Sequence, residues 1–170
     1  MTGVVITPDF VRMMARYSAW QNAWHIEAIE GLDEAALTAD RGAFFGSILG
    51  TANHLLWGDE IWLSRFAGTP PPEGGIPHSA ALERDAAAWA ARRRATDAGI
   101  TNWAETLESC DGALTWHSGV VNADVSRPLD RLIVHFFNHQ THHRGQVHAM
   151  LTAAGVKTPL TDLAFMPDPQ

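Results

Sequence analysis

The sequence predicts an all-α protein, a four-helix bundle with a long crossover and a short irregular or β-like excursion before the last helix. Four long segments carry apolar residues at spacings of three and four, the period of an amphipathic helix. Regular strand patterns do not occur between them, and proline-rich or glycine-rich stretches separate two of them. Helices that each bury one apolar face against the others form a bundle, so these observations favour that architecture.

The composition predicts one globular domain over residues 1–170. A chain of this length buries one sizeable core and is too short for two comfortable domains. The net charge of -7 argues against nucleic-acid binding, and no apolar run approaches the length of a membrane span. Because no secretory signal is visible and Cys110 is the only cysteine, we expect a cytoplasmic location.

The first two helices have clear start and stop signals. Thr7 and Pro8 are typical of an N-cap and a first helical position, and Gly31 marks the end of the first helix. His25 is expected at the surface of this helix. The second helix is predicted over residues 47–66 and is apolar on more than one side. It therefore lies either centrally in the bundle or against a second subunit.

The middle of the chain is less regular. Residues 69–79 contain three consecutive prolines and paired glycines, which predicts a crossover loop. A third, alanine-rich helix is expected over residues 80–108, bent or divided at Gly99. The three arginines at residues 92–94 are expected to form a solvated face. Residues 110–127 read as short β-like pieces between glycines, so an irregular or weakly paired excursion is predicted there.

The last helix, predicted within residues 128–155, carries five of the nine histidines. At about 100° per residue, His139 and His143 fall on its apolar face and lie one turn apart. His135, His142 and His148 fall at the edge or the surface. The apolar face that includes the pair is formed by Leu132, Ile133, Phe136, Val147, Met150, Leu151 and Ala154.

Two buried imidazoles require partners, because burying a polar group without one costs a few kcal/mol. Either His139 bonds a facing carboxylate and His143 a backbone carbonyl, or one divalent cation serves both rings. After this helix, the proline-rich tail contains Leu160, Leu163 and Phe165, which are expected to pack as an extended flap.

Three stretches of the chain carry a recognisable pattern: YSAWQNA, NHLLWGDEIWLSRFAG and HFFNHQTHHRGQVHAMLTAAG. They resemble the DinB/YfiT-like family of metalloenzymes from Tyr17 to the final TDLAFM. The resemblance implies a four-helix bundle, commonly dimeric, that holds a divalent metal through three histidines. Matched residue by residue, these are His54 on the second helix and His139 and His143 on the fourth.

The family's Arg-Gly-Gln after the last histidine is intact as Arg144, Gly145 and Gln146. We expect Gly145 to permit close approach of another helix, and Arg144 is equally well interpreted as a surface ion-pair residue. Asp59 lies on an apolar face, where it is either a buried partner of an arginine or histidine or a functional group. As a functional group it is more readily an acceptor for a ligating imidazole than a base.

Three neutral nitrogens leave positions on a metal for water or substrate, as in catalytic zinc sites. The resemblance favours activation of a small thiol for transfer or isomerisation. A hydrolase that uses a metal-bound hydroxide and a non-catalytic stress-response module with a closed coordination sphere are the alternatives. Zinc or nickel is expected first, and iron or copper also suits imidazole ligands. The expected partners are a small-molecule substrate, such as a low-molecular-weight thiol, and a second copy in a homodimer.

Overall fold

Four long helices dominate the computed structural model, which describes residues 3–168. They are α1 (Pro8–Glu30), α3 (Ile48–Ala67), α4 (Ala86–Thr106) and α5 (Leu129–Ala153). A short helix, α2 (Glu34–Thr38), lies between α1 and α3, and 3₁₀ turns cover Ile76–Ala81 and Leu163–Phe165. The predicted all-α fold class is confirmed. No helix of residues 3–168 has the length and apolarity needed to cross a membrane.

Side-chain caps fix where the long helices begin. The Thr7 and Ser47 hydroxyls accept hydrogen bonds from the first turns of α1 and α3, as predicted. Asp85 caps α4 in the same way, so this helix begins six residues later than expected. The predicted division at Gly99 is wrong, because α4 runs through it unbroken. A Cβ at Gly99 would lie 3.1 Å from Leu63, so glycine here lets α4 approach α3 closely.

Helix α3 is the central element of the bundle. It packs on α5, on α4 and on the 3₁₀ turn of the crossover, while α1 packs mainly on α4. Trp57 is buried, and Trp62 is covered by Phe66 and by Trp116 of the excursion. The apolar residues around α3 are thus explained by its central position within one chain.

The excursion before the last helix is an antiparallel hairpin. Strand β1 (Ala113–Ser118) pairs with strand β2 (Ala123–Pro128), with Trp116 opposite Val125. The backbone N–H of Leu129 donates to the carbonyl of Gly112, so α5 leaves the hairpin directly. The predicted β-like excursion is therefore present, and it holds Trp116 against α3.

The sequence suggested that the three arginines at residues 92–94 of α4 form a solvated face. This prediction is wrong. Arg93 is 1 % exposed and donates to Asp59 of α3 at 2.6 Å and to Asp97 at 2.7 Å. Asn22 of α1 also donates to Asp97, at 2.8 Å. This group of residues, the buried ion network, joins α1, α3 and α4 inside the bundle.

The flanking arginines behave differently from Arg93. Arg92 is half-buried and pairs with Glu60 and Glu83, whereas the exposed Arg94 pairs with Glu30. Three consecutive helical positions point about 100° apart, so one of them faces the interior. Because all three residues are arginines, the sequence did not show which of them faces the interior.

His25 is also buried, at 4 % exposure, and the prediction of a surface position is wrong. Its ring lies 3.8 Å from the ring of Trp24. Burial, together with the positive charge of Arg144 and the neighbouring His148, lowers the pKa of His25 to about 3. The folded protein thus holds this imidazole neutral far below the pH at which an unfolded chain protonates it.

This difference predicts that acid weakens the fold through His25. The unfolded chain takes up the proton near pH 6.5 and the folded chain only near pH 3, so stability falls as pH drops from 6.5. Between pH 6.5 and 4.5 the loss from this group is about 2 kcal/mol. Urea unfolding of wild type and His25→Gln at both pH values measures it. The exposed His78→Gln variant is the control, and an equal pH dependence in His25→Gln and wild type would contradict the prediction.

The C-terminal tail does not pack as the predicted flap. Leu160 and Phe165 are each 63 % exposed, and Leu163 is 38 % exposed. Instead, the tail is joined to α1 by a hydrogen bond of 2.6 Å from the Tyr17 hydroxyl to the backbone carbonyl of Thr161.

Candidate metal centre

Three histidines from two helices meet between α3 and α5. His54 lies on α3, and His139 and His143 lie one turn apart on α5. One ring nitrogen of each lies within 4.8 Å of the others, and the ring centroids are 4.4 to 5.3 Å apart. The packing of α3 on α5 therefore brings together the three residues that the resemblance implied as ligands.

His54 is oriented by a residue that the sequence did not indicate. Its Nδ1 lies 2.8 Å from the hydroxyl oxygen of Ser79, and that hydroxyl donates its own proton to the carbonyl of Ile76 at 2.7 Å. The Ser79 oxygen must then accept from Nδ1–H of His54. This arrangement leaves Nε2 of His54 with its lone pair, the form in which imidazole binds a metal.

His54 is buried even though the helical wheel placed it away from the centre of the main apolar stripe. The ring of Phe45, which precedes α3, stacks on the His54 ring at a centroid distance of 3.8 Å. Ser79 covers it from the crossover. Both contacts come from segments outside α3, which a periodicity argument on one helix does not include.

His143 is held by its own helix. Its Nδ1 lies 2.7 Å from Oε1 of Gln146, an oxygen that only accepts, so Nδ1 carries the proton. The amide nitrogen of Gln146 lies 3.2 Å from Nε2 of His142 and donates to it. Gln146 thus fixes the ring of His143 and leaves its Nε2 free, a role that the i, i+3 spacing is compatible with.

His139 lies against the backbone of α3. It is half-buried, and its Nδ1 is enclosed without a hydrogen-bond partner. A Cβ built on Gly58 would stand 2.6 Å from Cε1 of this ring. The absence of a side chain at Gly58 is therefore what lets the His139 imidazole occupy its place beside His54.

Gly58→Ala is consequently expected to displace the His139 ring. Removing support for a ligand typically lowers metal affinity by about 10- to 100-fold, and we expect a loss of this size. Titration with zinc in the presence of a competing chelator measures it.

Gly145→Ala on α5 is the matched control for this experiment, since a Cβ there meets nothing within 4 Å. The control should retain metal affinity and gain about 0.5–1 kcal/mol of stability from better helix propensity. Equal affinity in both alanine variants would show that Gly58 does not position His139. The open space at Gly145 also shows that the expected close helix approach at this residue is wrong.

The three rings are neutral at physiological pH. Burial, with the nearby His143 next in size, lowers the pKa of His139 to about 3 and that of His54 to about 4. Burial also lowers the pKa of His143, although the hydrogen bond that its ring donates to Gln146 opposes this shift. Metal ligands must be deprotonated, so a proton would compete with the ion only in acid.

Asp59 takes the first of the two roles left open by the sequence. Burial raises the pKa of its carboxyl to about 6, while the Arg93 charge opposes that shift. Its Oδ2 accepts from Arg93, and no hydrogen bond joins it to the three histidines among residues 3–168. The acceptors that orient the imidazoles are Ser79 and Gln146, so the structure assigns Asp59 to the buried ion network.

A cavity of about 480 Å³ lies between α3, the crossover and the hairpin turn, and none of the three histidines lines it. Trp57, whose ring is 6.3 Å from the His54 ring, forms one wall. Ile61, Ile76 and Val120 add apolar surface, and Arg65 adds a positive charge. The volume falls within the roughly 300–1,000 Å³ that is usual for small-molecule pockets.

Comparison with known proteins gives one informative match. The model of the DinB family matches residues 8–170 of the chain. Neither the comparison with curated proteins nor the comparison with solved structures gives a match.

Proposed function

The chain belongs to the DinB family, and we propose that it binds one divalent metal ion through His54, His139 and His143 and uses it in chemistry on a small molecule. The observation that carries the proposal is the convergence of three neutral imidazoles, two of which are held with Nε2 free. Imidazole is the commonest protein metal ligand, and zinc or nickel is expected first.

The donor set suits an accessible ion rather than an enclosed one. Within residues 3–168 the group contains three histidines and no cysteine or carboxylate. Three protein ligands leave room for another ligand, the pattern of catalytic zinc sites. A divalent ion in such a site lowers the pKa of a neighbouring thiol or water.

We favour a thiol-dependent reaction: either transfer, which consumes a small thiol, or isomerisation, which requires the thiol but releases it unchanged. The centre supplies no negative side chain to balance the ion, so an anionic ligand such as a thiolate would be favoured there. The cavity on the far side of Trp57 would hold the organic part of the substrate, with Trp57 and Ile61 against apolar atoms and Arg65 near an anionic group.

A test of this proposal incubates zinc-loaded protein with a panel of thiols and electrophilic acceptors. Loss of free thiol reports transfer, and thiol-dependent formation of an isomer of the acceptor reports isomerisation. We expect turnover in wild type and in His135→Ala, which removes an exposed histidine of the same helix, and at least about 100-fold less in His143→Ala. Hydrolysis of ester or amide substrates without thiol would identify the hydrolase instead. If neither occurs, and thiol leaves the absorption of cobalt-substituted protein unchanged, the enzymatic proposal fails.

We further propose that the chain forms a homodimer. Val5, Phe44 and Val120 are 74 %, 86 % and 77 % exposed, and a second subunit would cover apolar side chains of this kind. Analytical ultracentrifugation tests this: a single monomeric species at micromolar concentrations would contradict it.

A further inference from the structure

A second cavity, of about 250 Å³, lies on the α1 side of α5. Tyr17, Gln21 and His25 of α1 face Arg144 and Gly145 of α5 across it, and the tail closes it at Thr161. No histidine of the metal centre lines this cavity. Its volume is below the roughly 300 Å³ at which pockets for drug-sized molecules begin, so a ligand here is small.

The wall of this α1–α5 cavity is basic in a protein of net charge -7. Its positive charge is that of Arg144. The other lining side chains are hydroxyl, amide and imidazole groups, of which His25 is neutral, and no aspartate or glutamate lines the cavity. Such a lining attracts anions locally even though the whole chain repels them.

Arg144 is 5 % exposed and is not the surface ion-pair residue that the sequence suggested. It donates to the neutral oxygens of Ser18 at 3.1 Å and Gln140 at 3.5 Å, and its guanidinium lies 5.3 Å from the Tyr17 ring. Nη2 has no partner, and none of the ion pairs within residues 3–168 includes Arg144. By contrast, the equally buried Arg93 binds two carboxylates.

Two further residues of the same wall have unpartnered nitrogens. Gln21 is 2 % exposed and His25 is 4 % exposed, and each keeps its Nε2 enclosed without a hydrogen bond. Nη2 of Arg144 and Nε2 of Gln21 are thus two unpartnered donors at one cavity, whereas the neutral His25 ring adds no positive charge to it. A buried charged donor without an acceptor is costly, and a bound acceptor removes that cost.

We propose that the α1–α5 cavity binds a small oxyanion, a carboxylate or a phosphate, on the guanidinium of Arg144. The fork of an arginine matches the oxygens of both groups, and Gln21 adds an amide donor. The site does not depend on the metal centre, because its residues come from another face of α5. It gives a ligand-binding role to the Arg and Gly of the Arg-Gly-Gln motif, whose Gln serves His143.

Two residues make the site testable. Tyr17 is the only tyrosine of the chain, so selective labelling with ring-¹³C tyrosine gives one signal at the cavity. Gly145 borders the cavity and has open space where a side chain would project. Gly145→Leu would therefore fill the cavity from a helical position while leaving Arg144 in place.

The experiment titrates metal-free protein with sodium phosphate and, separately, with sodium acetate, at constant ionic strength set by sodium chloride. We expect a saturable shift of the Tyr17 signal. The dissociation constant should rise about 10- to 100-fold in Arg144→Gln, as loss of a charged hydrogen bond predicts. Binding should also be lost in Gly145→Leu. Arg94→Gln, which removes an exposed arginine of α4, should bind as wild type does.

Each result decides the matter. A response to phosphate alone or to acetate alone supports the site and identifies the oxyanion, and a response to both supports a general oxyanion site. No saturable shift with either salt overturns the proposal. An unchanged dissociation constant in Gly145→Leu and in any folded Arg144→Gln protein also overturns it, because binding would then lie elsewhere. Since the protein is metal-free, failure of the proposed function does not affect this outcome.

Discussion

His139→Ala is expected to remove most of the affinity for a divalent ion. Loss of a residue that merely orients a ligand lowers metal affinity by about 10- to 100-fold, so loss of the ligand itself should exceed that range. His54→Ala and His143→Ala should behave alike, because the three nitrogens converge on one point. Metal content after purification without a histidine tag, and zinc titration against a chelator, measure the effect.

His135→Ala is the control for the ligand variants, since His135 lies one turn before His139 and is exposed. It should keep its metal. Circular dichroism would establish that each variant retains its helices before affinities are compared. Undiminished metal in all three ligand variants would refute the proposed centre.

Arg93→Met is expected to lower the free energy of unfolding by about 3–5 kcal/mol, the usual cost of leaving buried charge uncompensated. Asp59 is fully buried and Asp97 nearly so, and both depend on Arg93. Burial alone would lower the pKa of Arg93, but the charges of Asp97 and Asp59 raise it. Urea unfolding at neutral pH measures the loss.

Arg94→Met, one residue along the same helix, is the matched control. Its ion pair with Glu30 is exposed, and such pairs contribute about 0–1 kcal/mol. Similar losses in the two variants would mean that the buried ion network contributes no more than a surface pair. Arg93→Lys should also destabilise the protein, because a single ammonium does not reproduce the two separate contacts of the guanidinium.

The metal centre and the buried ion network adjoin each other on α3. Gly58 receives the His139 ring, and the next residue, Asp59, binds Arg93 of α4. His54 lies one turn earlier on the same helix. The segment of α3 that contacts the ligand His139 therefore also binds α4.

Features that depend on neighbours along the chain could be predicted from the sequence alone. Thr7, Pro8 and Ser47 marked helix starts because a cap bonds within its own first turn. Helical spacing placed His139 and His143 on one apolar face for the same local reason. His54 was identified by resemblance to a family pattern, since its burial comes from Phe45 and Ser79, which lie outside α3.

Which polar residues become partners depends on how the helices pack against one another. A helical wheel gives the direction of a side chain but not what faces it, so Arg93, His25 and Arg144 were all assigned to the surface or to no role. Their burial follows from the way α1, α3, α4 and α5 pack. The same packing brings His54 of α3 to the two histidines of α5. Local periodicity does not specify where α3 lies, so it could not predict this group of three.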